Sequence, residues 1–488
     1  MINLKKIFFC TLFSGFILLS QAQQKTIPNI TITGSVVLPA DTTLKICIKE
    51  LTVNGNKRTK LFVILREVPF KKGDSITIAQ INSTLEQARK QVYNTTLFES
   101  VKIEAVVPDA FSINININVH ERWYIFPIPQ FQLVDRNFNV WYKTFNHSLK
   151  RVNYGIKFEH SNLTGNNDKL NIIFISGYSR NISVNYINPN INAAHNMGIS
   201  FSAGYSQNRE ISYNTSLKDT VLFYPSDSVR RTTNNFVRNS WYINTGYILR
   251  KGFFTNHYFS ATYSFLKVDD SIIIKNSNYF GDSVNAKGFL DLGYTYQYTN
   301  VDNKEYSLKG TSCYFSIFKR GLGFTGGLNM LSIEAGLNKY YDLGKKWYAN
   351  FQLKGRIKLP FEQPYFNRRS LGYGDTYLRG LEYIVVDGVA YALFKATLKK
   401  KLFSFNIPFS LFPKLFTKIP FTFFAKTYSD FGYVYIKDKY TTKLNNRLLY
   451  SGGFGIDVLT IYDVNLRFEY SFNQLNHSGL FFHTQSGF

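Results

Sequence analysis

Long apolar runs are almost absent from this chain of 488 residues, although 44% of its residues are hydrophobic. A transmembrane helix needs about 20 consecutive apolar residues, and after residue 22 no stretch of that length and character occurs. If such a chain is exported, it is periplasmic, secreted or an outer-membrane β-barrel, because lipid tolerates only structures that satisfy their own backbone hydrogen bonds.

Cysteine and histidine are too few and too scattered to indicate a site. Of the three cysteines, Cys10 lies near the start, and Cys47 and Cys313 lie in different predicted domains. We therefore expect neither a structural disulfide nor a cysteine metal cluster. The seven histidines are dispersed along the chain. We expect no metal site, no cofactor and no catalytic residues, and hence that the protein is not an enzyme.

Acidic residues are also scarce, with 32 Asp and Glu against 57 Lys and Arg, which gives a net charge of +25. The basic residues are spread over many alternating segments rather than gathered in one patch, and the basic and apolar pattern of residues 1–22 predicts export. We therefore expect no nucleic acid partner. A basic lumen, or a basic rim that faces anionic lipid headgroups, accounts better for the charge.

Residues 1–22 have the pattern of a secretory signal peptide. Lys5 and Lys6 precede an apolar stretch, and small residues ending at Ala22 suit cleavage. The apolar stretch is shorter than the ~20 residues that a membrane anchor needs. We interpret residues 23–44, which follow, as a linker.

Residues 45–122 predict a small α+β domain in the order strand, helix, helix, strand, strand. The predicted strands lie at 45–53, 101–107 and 111–119, and the predicted helices at 57–67 and 75–93. With the phrases VNGN at 53–56 and LFESV at 97–101, this segment resembles a polypeptide-transport-associated (POTRA) domain. The resemblance implies that a sheet edge binds client segments by strand addition. A spacer that only holds the barrel plug or a partner is the alternative.

From residue 123 to 488, apolar and polar residues alternate with a period of two. In the segment 347–359 one face is apolar, and the other carries Asn350, Lys354 and Arg356. A soluble sandwich would bury its apolar faces against each other, whereas a membrane barrel has one lipid face, one wet face and aromatic girdles. We therefore predict an all-β transmembrane barrel of about 16 antiparallel strands at 123–488. The predicted strands lie near 124–133, 151–162, 169–180, 181–188, 197–210, 236–250, 253–267, 286–299, 309–319, 329–341, 347–359, 389–401, 420–435, 447–459, 462–472 and 478–488.

The predicted connections divide into long and short sets. With both chain ends in the periplasm, the connections 211–235, 268–285 and 360–388 fall outside the cell, and most of the turns on the periplasmic side are short. The connection 402–419 is an exception because it is longer and rich in Phe and Pro. We expect it to lie along the membrane interface.

Three stretches of the barrel carry a resemblance to a known family. They are the loop 371–381 with Leu378, Arg379, Gly380 and Leu381, the strand 428–435 with Asp430 and Gly432, and the segment 448–472. In combination they resemble the BamA/TamA-type outer-membrane assembly superfamily, also called the bacterial surface antigen family. The resemblance extends from about residue 45 to the end of the chain.

The resemblance implies that Arg379 enters the barrel lumen and meets an acidic residue on a neighbouring strand. Asp430 stands at the matching position, and alternation places it on the lumen face, where an Arg–carboxylate pair is geometrically apt. In a wet lumen such a pair contributes about 1 kcal/mol to stability. The chain departs from the family at Leu381, in place of an aromatic residue, and at Thr397, in place of a second acid. These departures predict a weaker clamp and a more mobile loop.

The resemblance further implies an outer-membrane protein of a Gram-negative bacterium, with its POTRA domain in the periplasm, that inserts or translocates other proteins through a lateral gate. Expected partners are client outer-membrane or secreted polypeptides, outer-membrane lipid, and periplasmic or lipoprotein subunits. At the C-terminus, Gly487 and Phe488 either loosen the last strand at the gate or merely end it. BamA-like and TamA-like proteins carry several POTRA domains and this chain has one, so a dedicated single-cargo exporter or a passive outer-membrane channel is the alternative.

Overall fold

The computed structural model describes residues 30–34, 41–133, 146–216, 221–224, 235–322, 328–374, 376–382, 384–408, 418–437 and 444–485. The predicted signal peptide at 1–22 and the C-terminal residues Gly487 and Phe488 lie outside the described residues. Among the helices in these ranges, none is both long and apolar enough to cross a membrane.

The N-terminal part is a five-stranded sheet with two helices. Its elements are β1 (Ile30–Gly34), β2 (Lys45–Asn54), α1 (Leu61–Leu65), β3 (Ser75–Thr77), α2 (Ile81–Tyr93), β4 (Phe98–Asp109) and β5 (Ser112–Glu121). The sheet order is β1-β4-β5-β2-β3, with β1 parallel to β4 and β2 parallel to β5. Ile113, Ile115 and Ile117 are buried on one face of β5, which is the physical origin of their period of two.

Two local predictions for this part are wrong. β1 lies in the segment 23–44, which was expected to be a linker, because five residues are too few to show a period of their own. The second long helix begins at Ile81 rather than at Ser75. The β-branched residues Ile76 and Thr77 favour extended backbone, and they form the short edge strand β3.

One sheet of sixteen strands forms the rest of the described chain. Its strands are β6 (Ile125–Leu133), β7 (Val152–Ser161), β8 (Lys169–Gly177), β9 (Arg180–Asn188), β10 (Met197–Asn208), β13 (Arg238–Lys251), β14 (Thr255–Val268), β15 (Ala286–Val301), β16 (Gly310–Arg320), β17 (Met330–Gly344), β18 (Trp347–Leu359), β19 (Ala390–Pro408), β20 (Lys418–Tyr435), β21 (Leu448–Leu459), β22 (Asn465–Asn473) and β23 (Ser478–Gln485). The hairpin β11 (Ile211–Thr215) and β12 (Val221–Tyr224) and the helix α3 (Asp270–Lys275) lie in connections. Neighbours in the sheet are neighbours in the chain, apart from that hairpin.

The prediction of sixteen antiparallel strands is confirmed, and each predicted segment overlaps one observed strand. The two faces differ as the alternation requires, because Phe351 and Leu353 are 42% and 54% exposed, whereas Glu334 pairs with Lys354 at 3.2 Å on the other face. Charged pairs on one face and exposed apolar residues on the other are typical of a barrel with a polar lumen.

The connections at the two ends of the barrel differ in length. Those at 209–237, 269–285 and 360–389 lie at one end, the long-loop end, and the turns at 252–254 and 345–346 lie at the other, the short-turn end. We call residues 360–389 the lumen loop.

The prediction that strands end at 401 and restart at 420 is wrong. Pairing of β19 with β20 continues to Pro408 and Lys418 across a register shift between Lys401 and Phe403. The shift is a bulge-like irregularity that interrupts the simple alternation, and it made this stretch look like a connection in the sequence.

Candidate functional site

The lumen loop returns upon itself before it meets the barrel wall. Leu371 pairs with Val386, and Tyr373 with Thr376. Gly372 has a φ of +85°, and a Cβ there would come within 2.1 Å of the backbone oxygen of Ile384. Only glycine fits such a turn without strain, so the sequence Gly-Tyr-Gly fixes the local path that presents Arg379.

Arg379 and Asp430 are in direct contact. The backbone N–H and the Nε–H of Arg379 both donate to Asp430 Oδ2, at 3.0 and 2.9 Å, and the Nη2 group donates to Oδ1. Asp430 has no exposed surface, and Arg379 is 9% exposed. The pair is therefore a buried, forked ion pair, and the smaller contribution expected for a wet lumen does not apply to it.

Thr397 and Tyr428 complete the surroundings of the guanidinium group. Arg379 Nη1 donates to Thr397 Oγ1 at 3.0 Å, and the guanidinium carbon lies 3.9 Å from the centroid of the Tyr428 ring. The hydroxyl satisfies a donor where the family pattern has a second acid, and the ring face attracts the cation. Thr397 therefore gives Arg379 a hydrogen-bond acceptor and does not leave the guanidinium group without a partner on this side.

Two leucines and a glycine seat the motif on the barrel wall. Leu378 and Leu381 are 2% and 5% exposed and pack in one apolar cluster with residues of β19 and β20. Gly432 of β20 lies beneath Leu378, whose Cδ1 would be 2.9 Å from a Cβ at that position. Leu381 therefore fills the apolar role at the position where the family has an aromatic residue.

The loop also contacts the last two strands. Gly380 has a φ of +86°, and a Cβ there would lie 2.7 Å from Ser471 Cβ. Asn473 Nδ2 donates to the Gly380 carbonyl at 2.7 Å, and His483 Nε2 lies 3.0 Å from Glu382 Oε2. The lumen loop therefore touches β19, β20, β22 and β23 at once.

Glu382, Glu469 and His483 form a cluster that the sequence did not indicate. One ligand-capable atom of each lies within 4.8 Å of the others. Lys426 Nζ already lies 2.6 Å from Glu469 Oε1, and His483 is paired with Glu382. Each member of the cluster thus already has a contact within the protein, and the absence of a metal site stays a prediction.

At its outer end the loop is held by a buried carboxylate. Asp387 accepts hydrogen bonds from the hydroxyl of Thr215 in β11 and, at 2.6 Å, from that of Tyr373. Burial raises the pKa of Asp387 above its ordinary value. The loop is therefore tied both to the barrel wall and to the hairpin at the long-loop end.

A cavity of about 1080 Å³ lies beside the loop inside the barrel. Its charged lining consists of Arg369, Arg379, Lys395, Lys399, Lys426 and Arg467 together with Glu382, Asp457 and Glu469. Basic groups outnumber acidic ones, and most of the remaining lining is polar. Such a surface suits hydrated polypeptide or anionic groups better than apolar ligands.

The two edges of the sheet are β6 and β23, and within the described ranges no ladder joins them. Pro127 and Pro129 occupy alternate positions of β6, opposite Phe158 and Ile156 in an unbroken ladder with β7. The N–H groups of β6 that donate to β7 must therefore come from the residues that alternate with the prolines along the strand. The prolines fall on the outer edge, which keeps its carbonyl acceptors there but lacks two donors.

Comparison with known proteins agrees with this architecture. The sequence profile of the POTRA family (surface antigen variable number repeat) matches residues 46–122. Residues 46–122 are a POTRA domain. No curated protein matches the chain in sequence.

Solved structures resemble the chain over nearly its whole length. BamA from Haemophilus ducreyi lacking POTRA domains 1–3 is similar with a TM-score of 0.51 and 14% identity, over 90% of this chain and 85% of that one. CdiB from Escherichia coli is similar with a TM-score of 0.53 and 11% identity, over 90% of this chain and 76% of that one. The chain therefore has the fold of the BamA and CdiB barrels, with a POTRA domain before it.

Proposed function

We propose that this protein is an outer-membrane insertase or translocase for other polypeptides in a Gram-negative bacterium, with its POTRA domain in the periplasm. The shared fold with BamA and CdiB, together with the POTRA domain, supports this class of function. Its clients are unfolded outer-membrane or secreted polypeptides. The barrel is embedded in outer-membrane lipid, and periplasmic or lipoprotein subunits assist it.

The observation that carries the proposal is the donor-poor outer edge of β6. A β23 strand that pairs with this edge loses a hydrogen bond at Pro127 and another at Pro129. Each missing bond removes about 0.5–1.5 kcal/mol from the seam. The seam between first and last strands then opens at a lower cost than any other ladder in the barrel, and an incoming strand finds exposed carbonyl groups on which to pair.

The lumen loop keeps the rest of the barrel in register while the seam opens. Arg379 fixes the loop to β20, and the Gly380 and Glu382 contacts hold β22 and β23 from inside. Motion is thereby confined to the β6 side of the seam. The C-terminal residues Gly487 and Phe488, which follow β23 in the sequence, belong to the same proposed gate.

The POTRA domain presents clients to the barrel by strand addition. β3 pairs with only Lys45, Ile46 and Cys47 of the longer strand β2. Ile48 is also bonded, to Gly73 and Asp74, so the part of β2 after Ile48 offers backbone groups to an added strand.

A dedicated exporter or a passive channel is the second candidate, and the basic cavity of about 1080 Å³ favours it. Depletion of the protein, followed by quantitative mass spectrometry of outer membranes and culture medium, separates the candidates. A general fall of outer-membrane barrels is expected. Loss of one secreted protein alone would indicate an exporter, and no change in either fraction would leave a channel.

A further inference from the structure

A two-stranded ribbon extends beyond the barrel at the short-turn end. β18 pairs with β19 no further than Lys400, and β21 pairs with β20 no further than Thr422. In these ladders Lys401–Pro408 of β19 therefore pair only with β20, and Lys418–Phe421 of β20 pair only with β19. We call these two segments the rim ribbon. At ~3.3 Å per residue, the ribbon projects roughly 26 Å past the end of the β18 ladder and roughly 13 Å past the end of the β21 ladder.

One face of the rim ribbon and its base is entirely apolar. Phe403, Phe405 and Ile407 of β19 stand opposite Phe423, Phe421 and Ile419 of β20. Ring centroids lie 4.8 Å apart for Phe403 and Phe423 and 5.6 Å apart for Phe405 and Phe421. The opposite face is polar, and there Thr422 donates to Ser404 at 3.3 Å.

The apolar face continues the outer wall of the barrel. β20 pairs with β21 without a register shift, so Phe421 and Phe423 share a face with Phe431 and Tyr433, which are 42% and 40% exposed on the outer surface. The irregularity after Lys401 brings the β19 aromatic residues onto this same side. A two-stranded ribbon is marginally stable alone in water, so a surface that covers the aromatic row would stabilise it.

The chain segment that contains the ribbon carries charge of one sign. Between Asp387 and Asp430 the sequence contains no acidic residue. Apart from the lysines that line the cavity, its lysines there are Lys400, Lys401, Lys414 and Lys418. The ammonium group of Lys400 lies 4.8 Å over the ring of Trp347 at the base of the ribbon. Aromatic residues combined with lysines are the composition that binds at the boundary of an anionic bilayer.

We propose that the rim ribbon is a membrane-interface anchor, whose aromatic row lies in the leaflet at the short-turn end and whose lysines contact anionic phospholipid headgroups. This inference rests on the proposed membrane barrel. Lipid is the occupant that fits, because the aromatic row is continuous with the outer wall and faces away from the lumen that a client would enter.

Spin labels on adjacent residues test the anchor in the full chain. In a Cys47→Ser, Cys313→Ser background, single labels are placed at Phe405→Cys on the apolar face, Asn406→Cys on the polar face and Phe431→Cys on the barrel wall. The protein is reconstituted in vesicles of phosphatidylcholine and phosphatidylglycerol. The label at 405 is expected to be accessible to oxygen and protected from a water-soluble nickel complex, like the label at 431, and the label at 406 is expected to show the reverse.

The outcomes separate the anchor from the barrel. Nickel access at 405 equal to that at 406, with 431 still protected, overturns the anchor and leaves the membrane barrel standing. Nickel access at 431 as well overturns the membrane barrel. In vesicles of phosphatidylcholine alone, or with Lys400→Gln and Lys401→Gln, the 405 label is expected to shift toward water. An unchanged depth in both cases overturns the headgroup contact.

Discussion

The contact of the lumen loop with the barrel wall and the outer edge of β6 differ in how fully their hydrogen-bonding groups are paired. At the loop contact, the donors of Arg379 that face Asp430 and Thr397 find acceptors in a buried setting. At the outer edge of β6, Pro127 and Pro129 remove donors from the side of the strand that faces away from β7, where no ladder forms among the described residues. In the proposed gate, the first region holds the loop and the last strands in place, and the second is the side that opens.

The largest expected effect concerns the clamp. Asp430→Ala leaves the Arg379 charge buried without its partner, which costs about 3–5 kcal/mol of unfolding free energy. Urea unfolding of the reconstituted barrel measures this loss. In a double-mutant cycle with Arg379→Ala, the double variant is expected to lose less stability than the sum of the single variants. Additive losses would show that the two side chains are not coupled.

Next in size is the close approach of the loop to β22. Gly380→Ala introduces a positive-φ strain and a clash with Ser471, and we expect a loss of about 1–3 kcal/mol. Gly374→Ala is the matched control, because Gly374 also has a positive φ but nothing lies within 4 Å of the added methyl group. Unfolding measurements on both variants test the contact, and equal losses would mean that the loop does not press on β22.

Restoring backbone N–H donors to the outer edge of β6 should make the seam between β6 and β23 more stable. Pro127→Thr with Pro129→Thr adds two N–H groups to the outer edge, and a closed seam would gain about 1–3 kcal/mol. The variant is expected to resist thermal unfolding better than the wild type and to assemble clients more slowly. Phe131→Thr, on the same strand, introduces the same side chain without adding a backbone N–H and serves as the control. A faster or unchanged assembly rate in the double variant would contradict the role of the prolines.

The smallest effect is expected at the inner contact with β23. Glu382→Gln weakens the contact with His483 and should cost about 0.5–1.5 kcal/mol. Limited proteolysis of the C-terminal strand is the readout. Glu362→Gln, which breaks an exposed pair with Lys437, should leave the proteolysis rate unchanged. Equal proteolysis rates for the two variants would show that Glu382 does not hold β23 in place.

The period of two was enough to predict the sixteen strands, because lipid on one side and water on the other impose it on every strand. Alternation also placed Asp430 on the lumen face. The rim ribbon was missed, since the register shift after Lys401 breaks the alternation. The pairing of Glu382 with His483 was missed as well, because it joins a loop to a strand far along the chain and leaves no local pattern.

The function of Thr397 and Leu381 shows a different limit. A comparison with the family pattern predicts a weakened clamp at both positions. In three dimensions Thr397 binds Arg379 through its hydroxyl, and Leu381 is buried in the apolar cluster. A side chain that replaces a missing acid or aromatic ring can be recognised only when the pairing of neighbouring strands is known.

The central claim is that clients enter the barrel at the edge of β6. A photo-crosslinking analogue, benzoylphenylalanine, is placed at Phe131 in β6 or at Phe431 in β20, which are both exposed on the outer wall. Cells that express either variant are irradiated, and the adducts are identified by mass spectrometry. Adducts with other outer-membrane or secreted polypeptides at 131, and none at 431, are the predicted result. Equal adducts at both positions, or adducts at 431 alone, would contradict the account.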